Sequence, residues 1–273
     1  MPELPEVETT VRALRQPLIG RRVVGVENDW PRHLAGIDLA ELRARIHDCQ
    51  FQAINRRAKY LLFSLSGGET LIIHLKMSGH LSVAGADLPR HRHVHTVFAL
   101  DDGRELRFKD QRKFGRVRLT QTPEQVLGHL GPEPLADDFT PAILHACLDG
   151  RTRALKPLLL DQSFIAGVGN IYADEALFYA KLHPRRTADS LTETEIKALH
   201  GAIRLVLQTG INREGASIDQ YIKPDGSKGD MQNALTVFRR QDAPCFKCGT
   251  PVQRIKMNGR STHFCPTCQP MSK

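Results

Sequence analysis

The chain has 273 residues, of which 41% are hydrophobic and 25% charged, an ordinary composition for a globular protein and a length that suits two domains. No apolar run reaches membrane-spanning length, and the amino terminus lacks the basic region and apolar core of a secretory signal, so we expect a cytoplasmic protein without a membrane partner. The net charge of +8 attracts polyanions and favours a nucleic-acid partner, although this composition is also compatible with a basic protein that has none.

The first eighteen residues predict an α-helix with one buried face. Its apolar residues recur at steps of three and four, namely Leu4, Val7, Val11, Leu14 and Leu18. Pro5 falls in the first turn, where a missing N–H costs nothing, and Gly20 is well placed to end the helix. The acidic residues near the start are favoured by the helix dipole, which is the simplest explanation for them.

Pro2 and Glu3 admit a second, chemical interpretation. Met1 is expected to be removed before an imino residue, which would leave Pro2 as a free secondary amine beside the Glu3 carboxylate. An amine attacks carbonyl-like carbons, and a neighbouring carboxylate can move protons. The first three residues are therefore a candidate site for covalent catalysis.

The segment from Cys49 to Thr120 predicts β-structure. A strand-like run at 21–27 and a short helix at 41–46 precede it. Its first apolar or alternating runs are 51–55, 60–65 and 70–75. Turns at 66–68 and 101–103 have the composition of hairpins. Several short strands joined by turns indicate a two-layer β-sandwich, with the first helix against its edge.

Helical periodicity follows a segment rich in Pro and Gly, Pro123–Pro141, where we place the first domain boundary. We expect four helices. The first begins at Thr140-Pro141, the second covers 153–160 and the third covers 171–180. The fourth extends from the capping box Thr192-x-x-Glu195 to about Gly210. We predict three domains, at 1–133, 134–237 and 238–273.

Four of the six cysteines form two C-x₂-C pairs, Cys245 with Cys248 and Cys265 with Cys268, separated by sixteen residues. In a cytosolic chain this spacing favours a tetrahedral zinc site over redox chemistry. Four protein thiolates leave no open position on the metal, so the single Zn²⁺ is expected to be structural. Cys49 and Cys147 are expected to be core or half-buried thiols.

The run Met1–Thr9 resembles the start of bacterial formamidopyrimidine-DNA glycosylase, the 8-oxoguanine repair enzyme. Gly167–Tyr172 and Gly259–Cys265 match the turn and the finger of that family. The resemblance covers nearly the whole chain and implies an α+β fold. That fold is an N-terminal β-sandwich with flanking helices, followed by a helix–two-turn–helix module and a β-hairpin zinc finger.

The resemblance also implies a function. The expected enzyme removes oxidised purines (8-oxoguanine and formamidopyrimidines) from double-stranded DNA and cleaves the abasic strand by β,δ-elimination through a Schiff base. It would act as a monomer, in the cytoplasm of a bacterium and at the nucleoid. Four residues of this chain receive catalytic roles from the resemblance, namely Pro2 as nucleophile, Glu3 as proton carrier, Lys59 as proton donor in β-elimination and Arg260 in δ-elimination.

Further residues are expected to contact DNA. An enzyme that extrudes a base needs side chains to fill the gap, and similarity to the family assigns this to Met77, Phe114 and Arg112. An isolated Met or Phe is more often a core residue. Other implied contacts are His93, Arg151 and Asn170, the last at a helix start that suits a phosphate. Ser217 falls in a loop that closes over the flipped base in the family, and the role of Lys156 is left open.

One departure from the family is visible, because Phe238-Arg239-Arg240 stands where a Tyr-Gly-Arg run is usual. This change puts the local backbone shape in question. Two other functions are considered. A sister glycosylase for oxidised pyrimidines is disfavoured by Leu4, since that branch opens with Pro-Glu-Gly-Pro-Glu. A non-catalytic nucleic-acid-binding zinc protein would not need a free Pro2.

Overall fold

The structure is a computed structural model that describes residues 1–271. It contains two compact units, the first made of residues 1–128 and 213–230, and the second of residues 129–212 and the chain from Met231 onward. The 213–230 segment thus follows a helix of the second unit but belongs to the first. No helix within the described residues is long and apolar enough to cross a bilayer. The division into three domains stays a prediction.

The first unit is a β-sandwich with flanking helices, as predicted. Its helices are α1 (Leu4–Leu18), α2 (Leu39–Ile46) and α3 (Pro123–Leu127). Its strands are β1 (Val23–Asn28), β2 (Phe51–Arg57), β3 (Tyr60–Leu65), β4 (Thr70–His74), β5 (Gly79–Gly85), β6 (Val94–Leu100), β7 (Arg104–Asp110) and β8 (Arg116–Thr120). They form two antiparallel four-stranded sheets, in the orders β1-β6-β7-β5 and β2-β3-β4-β8.

Helix α1 packs against β2 and β5, which are edge strands of the two sheets. Its five predicted apolar residues are fully buried, and each contributes about 1.5–3 kcal/mol of burial free energy. Pro5 lies in the first turn, and Gly20 follows the helix with a φ of 86°, where a glycine costs little. The predicted helix and its position at the sandwich edge are therefore confirmed.

The second unit is helical and ends in a β-hairpin. Its elements are α4 (Pro141–Leu148), α5 (Leu155–Leu159), α6 (Asn170–Tyr179), α7 (Glu193–Asn212), β9 (Gln253–Met257) and β10 (Arg260–Phe264). The predicted capping box is present, with Thr192 N–H donating to Glu195 at 2.9 Å and Glu195 N–H donating to Thr192 Oγ1 at 3.3 Å. Helix α5 is shorter than the predicted 153–160, because Ala154 is extended and bridges to Thr187.

Candidate active site

The amino terminus is held by a carboxylate that sequence reasoning did not single out. Pro2 is buried, and Glu3 is the buried N-cap of α1. The Glu6 carboxylate accepts the Glu3 N–H through Oε2 at 2.8 Å and the Ala216 N–H through Oε1 at 2.8 Å. Glu6 thus joins the backbone next to the candidate nucleophile Pro2 to the 213–230 segment. Its spacing of three from Glu3, as in a capping box, was the available signal.

The 213–230 segment is closely fitted against α1. Gly215 has a φ of 83°, and a Cβ there would lie 2.9 Å from Glu6 Cγ, so only glycine suits the position. Burial, and then the nearby Glu6 charge, raise the pKa of Tyr221, which stays protonated. Ser217 Oγ accepts the Gly229 N–H at 3.0 Å, which closes the neck of the loop. The expected contact of Ser217 with a flipped base stays a prediction.

Lys59 is only 4% exposed, although a lysine between two strands is usually solvated. It follows Ala58, whose φ of 52° makes the tight turn between β2 and β3. Burial, followed by the charges of Lys76 and Lys59, lowers the pKa of the neighbouring His74 to about 3. His74 is therefore neutral, and sequence reasoning had not connected it with Lys59.

Met77 and Phe114 are not core residues, since their exposed fractions are 39% and 45%. They lie on adjacent loops, because the Arg112 N–H donates to Ser78 Oγ at 2.9 Å. The Arg112 guanidinium stacks over the Phe114 ring, with Cζ 5.0 Å from its centroid. The three residues expected to fill a gap in the DNA stack thus lie together on one surface.

His93 lies in a row of three imidazoles that are tilted against one another, with its ring centroid 5.3 Å from that of His91 and 6.1 Å from that of His95. Desolvation, and then the charge of Arg92, lower the pKa of His93, so the ring is neutral near pH 7. In the described part of the chain, only the four cysteines cluster as possible metal ligands, so these histidines are better suited to hydrogen bonding.

Asn170 and the finger hairpin are joined by a buried ionic network in the second unit. Asn170 opens α6 and donates through Nδ2 to Ser261 O at 3.1 Å. Lys156, fully buried, donates to Asp174 Oδ1 and to Asn170 O, the latter at 3.1 Å. Asp174 Oδ2 accepts from His263 N at 3.0 Å and stands 3.1 Å from His263 Nδ1. Lys156, whose role the sequence left open, thus supports the start of α6 and, through Asp174, the finger hairpin.

Arg260 begins β10 at the tip of the hairpin, as expected, and its side chain is exposed. The two turn residues, Asn258 and Gly259, have φ values of 46° and 76°. This is the Asn-Gly combination that tight two-residue hairpins favour. The tip therefore presents a cation on a short, well-defined turn.

Arg151 is held differently from Arg260. Its Nε donates to Cys147 O at 2.7 Å, and its guanidinium lies 5.5 Å from the Phe164 ring centroid. These contacts restrict the side chain while leaving it partly exposed. Its expected contact with DNA stays a prediction.

The Phe238-Arg239-Arg240 departure leaves the backbone shape unusual. Arg239 has a φ of 57°, the left-handed region that a glycine adopts without cost. Arg240 donates to Thr236 O at 2.7 Å and stacks over Phe246, with Cζ 3.5 Å from the ring centroid. The arginine in the family's glycine position therefore accepts backbone strain, while Arg240 is held by its contacts with Thr236 and Phe246.

The four cysteines of the finger lie with all Sγ atoms within 4.8 Å of one another. A tetrahedral zinc site with Zn–S bonds of about 2.3 Å requires sulfur separations of about 3.8 Å. Cys245 and Cys268 are 3.9 Å apart, and Cys248 and Cys265 are 3.4 Å apart. The Cys268 N–H also points at Cys265 Sγ at 3.4 Å, as suits a thiolate. The donor set fits one structural Zn²⁺.

Comparison with known protein families gives matches to three successive segments of this chain. Residues 1–117 match the family model described as formamidopyrimidine-DNA glycosylase N-terminal domain, and residues 130–221 match the one described as formamidopyrimidine-DNA glycosylase H2TH domain. Residues 243–270 match the model described as zinc finger found in FPG and IleRS. The chain belongs to the formamidopyrimidine-DNA glycosylase family. It is a DNA glycosylase/AP lyase with a helix–two-turn–helix domain and a zinc finger.

Individual relatives match over nearly their full length. A formamidopyrimidine-DNA glycosylase of Symbiobacterium thermophilum is 49% identical over 99% of this chain and 90% of its own. A mutant Lactococcus lactis enzyme in complex with Fapy-dG-containing DNA has a TM-score of 0.92 at 38% identity, covering 98% of this chain and 100% of its own. The Lactococcus lactis enzyme with abasic-site DNA has a TM-score of 0.91 at 38% identity, covering 98% and 99%.

Proposed function

We propose that this enzyme removes oxidised purines from double-stranded DNA and that the Pro2 nitrogen is its nucleophile. The observation that carries the proposal is the burial of Pro2 and Glu3, where Glu6 binds the Glu3 N–H and fixes the backbone beside Pro2. A nucleophile held in one orientation avoids the entropy cost of bringing it to the sugar. A mobile terminal tail would not offer this advantage.

The reaction begins when the damaged nucleotide leaves the base stack, at a cost of a few kcal/mol. The exposed side chains of Met77 and Phe114 fill the gap, and Arg112 faces the unpaired base with its donors. The Pro2 nitrogen attacks the sugar C1′ as the C1′–base bond breaks and the base departs. The Pro2 nitrogen then loses its proton, Glu3 delivers a proton to the ring oxygen O4′, and the C1′–O4′ bond breaks, which opens the sugar ring and leaves an iminium.

Strand cleavage follows from the iminium, which acidifies the neighbouring C–H bond. Lys59 supplies the proton for β-elimination, and the neighbouring His74 is neutral, so it adds no positive charge to those of Lys59 and Lys76. Arg260 binds the flanking phosphates and assists δ-elimination from the exposed hairpin tip.

The remaining contacts hold the DNA backbone. Asn170 at the start of α6 and Arg151 bind phosphates in the second unit, and His93 contacts DNA in the first. Ser217 acts through the 213–230 loop, which covers the flipped base. The enzyme acts as a monomer on the bacterial nucleoid.

The experiment that tests this proposal is borohydride trapping on a duplex that carries one 8-oxoguanine. Reduction of the iminium should leave a protein–DNA adduct that maps to the first tryptic peptide. A variant that retains Met1 has an amide nitrogen at Pro2 and should form no adduct, whereas Pro2→Gly keeps a primary amine and should form less. An adduct with the Met1-retaining protein would assign the chemistry to another amine, with Lys59 the first suspect.

Glu3→Gln separates base removal from lyase chemistry. It should slow excision of 8-oxoguanine by about a hundredfold or more, and it should still react with a pre-formed abasic site, where no base has to leave. Equal losses on both substrates would contradict the role of Glu3. A duplex with an oxidised pyrimidine, tested in parallel, should be the poorer substrate.

A further inference from the structure

The loops that carry Met77 and Phe114 are built on the same plan. In each, the residue before the exposed apolar side chain is a lysine with a left-handed backbone, Lys76 with a φ of 52° and Lys113 with a φ of 59°. In each, the residue after it donates a hydrogen bond to the carboxylate of Asp110. A strained backbone position persists only where its surroundings hold it.

Asp110 is the last residue of β7 and has no exposed surface. Its Oδ1 accepts the hydroxyl of Ser78, and its Oδ2 accepts the Gly115 N–H at 2.6 Å. Ser78 Oγ in turn accepts the Arg112 N–H at 2.9 Å. One buried carboxylate thus uses its two oxygens on two different loops, and Ser78 links them a second time.

The carboxylate remains charged under ordinary conditions. Burial would raise the pKa of Asp110, but the nearby His33 ring and the hydrogen bonds from Ser78 and the Gly115 N–H outweigh it and lower the pKa to about 2. His33 is itself fully buried, with Nε2 3.4 Å from Asp110 Oδ2. Hydrogen bonds to a buried charged group are stronger than those to a neutral one, so both loops are held firmly.

The same two loops also share one apolar support, the buried ring of Phe108. A Cβ added at Gly79 would lie 2.8 Å from Phe108 Cε2, and one added at Gly115 would lie 2.4 Å from Phe108 Cζ. Both backbones therefore touch this ring as closely as glycine permits. Both loops are therefore packed against the same buried side chain.

We propose that Asp110 is a positioning residue that joins Met77 and Phe114 into one rigid unit, so that the two side chains enter the DNA stack together. This inference rests on the proposed function, in which both side chains fill the gap left by the flipped base. A wedge must offset the cost of unstacking a base step, and a pair already in place does so without first ordering its loops.

The decisive variant is Ser78→Ala, which removes the bond from Ser78 to Asp110 and the bond that Ser78 accepts from the Arg112 N–H, and leaves the Asp110–Gly115 bond intact. We expect single-turnover excision of 8-oxoguanine to slow about tenfold, in keeping with loss of one charged hydrogen bond. A 2-aminopurine placed next to the lesion should show a smaller fluorescence rise on binding, because the stack opens less. The second readout reports opening of the stack directly, so it separates a wedge defect from a slower chemical step.

Ser66→Ala is the matched control. Ser66 Oγ accepts the Gln50 N–H at 2.9 Å in a turn of the other sheet, so the variant loses a backbone N–H bond like the one that Ser78 accepts from Arg112, away from both loops. Its excision rate and its fluorescence rise should equal those of the wild type. If Ser66→Ala reduced both as much as Ser78→Ala, a general loss of stability would explain the effect and the proposal would fail.

A double variant tests whether Ser78 acts through Met77. Met77→Ala alone should slow excision, and adding Ser78→Ala should slow it little further, because the side chain being positioned is already gone. If the double variant slowed excision by the product of the two single-variant factors, the proposal would be overturned. If wild type excises and Met77→Ala does not slow it, the wedge role itself is wrong, whereas wild type without excision would refute the proposed function.

Rescue at Asp110 gives a further check. Asp110→Asn can accept from Gly115 through its oxygen and donate to Ser78 Oγ through its nitrogen, so it should keep most of the fluorescence rise. Asp110→Ala holds neither loop and should lose it. Glu105→Gln, a buried carboxylate on the same strand that binds Arg107 at 2.7 Å, is the control and should leave the fluorescence unchanged. Equal behaviour of Asp110→Asn and Asp110→Ala would contradict the positioning role.

Discussion

Replacement of Lys156 by Met should destabilise the second unit strongly, although the two side chains have similar volumes. Lys156 is fully buried, and its ammonium is paired with the Asp174 carboxylate. Removal of the cation leaves Asp174 charged and buried, with only its contacts to His263. Breaking one side of a buried pair in this way costs about 3–5 kcal/mol.

The assay is guanidinium unfolding at pH 7 with zinc present, compared with two other variants. Arg153→Met removes a half-exposed ion pair with Asp161 and should cost about 1 kcal/mol or less. Lys156→Met combined with Asp174→Asn removes both charges and keeps an acceptor for His263, so it should recover most of the loss. If Lys156→Met costs no more than Arg153→Met, the reasoning is refuted.

Three further results are expected. Burial holds the pKa of His74 at about 3 in the folded protein, below its ordinary value of 6.5, so between these two pH values the unfolded chain binds one more proton and stability falls as the pH falls. His74→Gln should reduce the slope of the unfolding free energy against pH in this window by about 1.4 kcal/mol per pH unit. An unchanged slope would contradict the lowered pKa. Cys248→Ser should release zinc to a chelator and abolish incision, while the first unit keeps its β circular dichroism; full activity without zinc would refute this. Gly201→Ala should stabilise α7 by about 0.5–1 kcal/mol, since nothing lies within 4 Å of the new Cβ, whereas Gly210→Ala should destabilise it, because Tyr172 would lie 2.5 Å away; calorimetry showing the same sign for both would contradict the packing.

Several features of this protein follow from local sequence alone. The buried stripe of α1, the capping box at Thr192 and the Asn-Gly turn before Arg260 each depend on residues within a few positions of one another. The cysteine spacing predicts the metal site for the same reason, because each C-x₂-C pair forms its own knuckle. Short-range chemistry of this kind needs no knowledge of the distant chain.

The environment of the charged residues was decided by tertiary structure. Lys59 and Lys156 carry the same side chain as any solvated lysine, and only packing places them in the interior. The sequence indicates only that Glu6 is an acidic residue at a helix start, yet its second carboxylate oxygen accepts the N–H of Ala216, 210 residues away. Asp110 likewise reads as the end of a strand, and its partner Ser78 is 32 residues distant. A buried charge is stabilised by whichever donors the fold brings to it, and local sequence does not contain those donors.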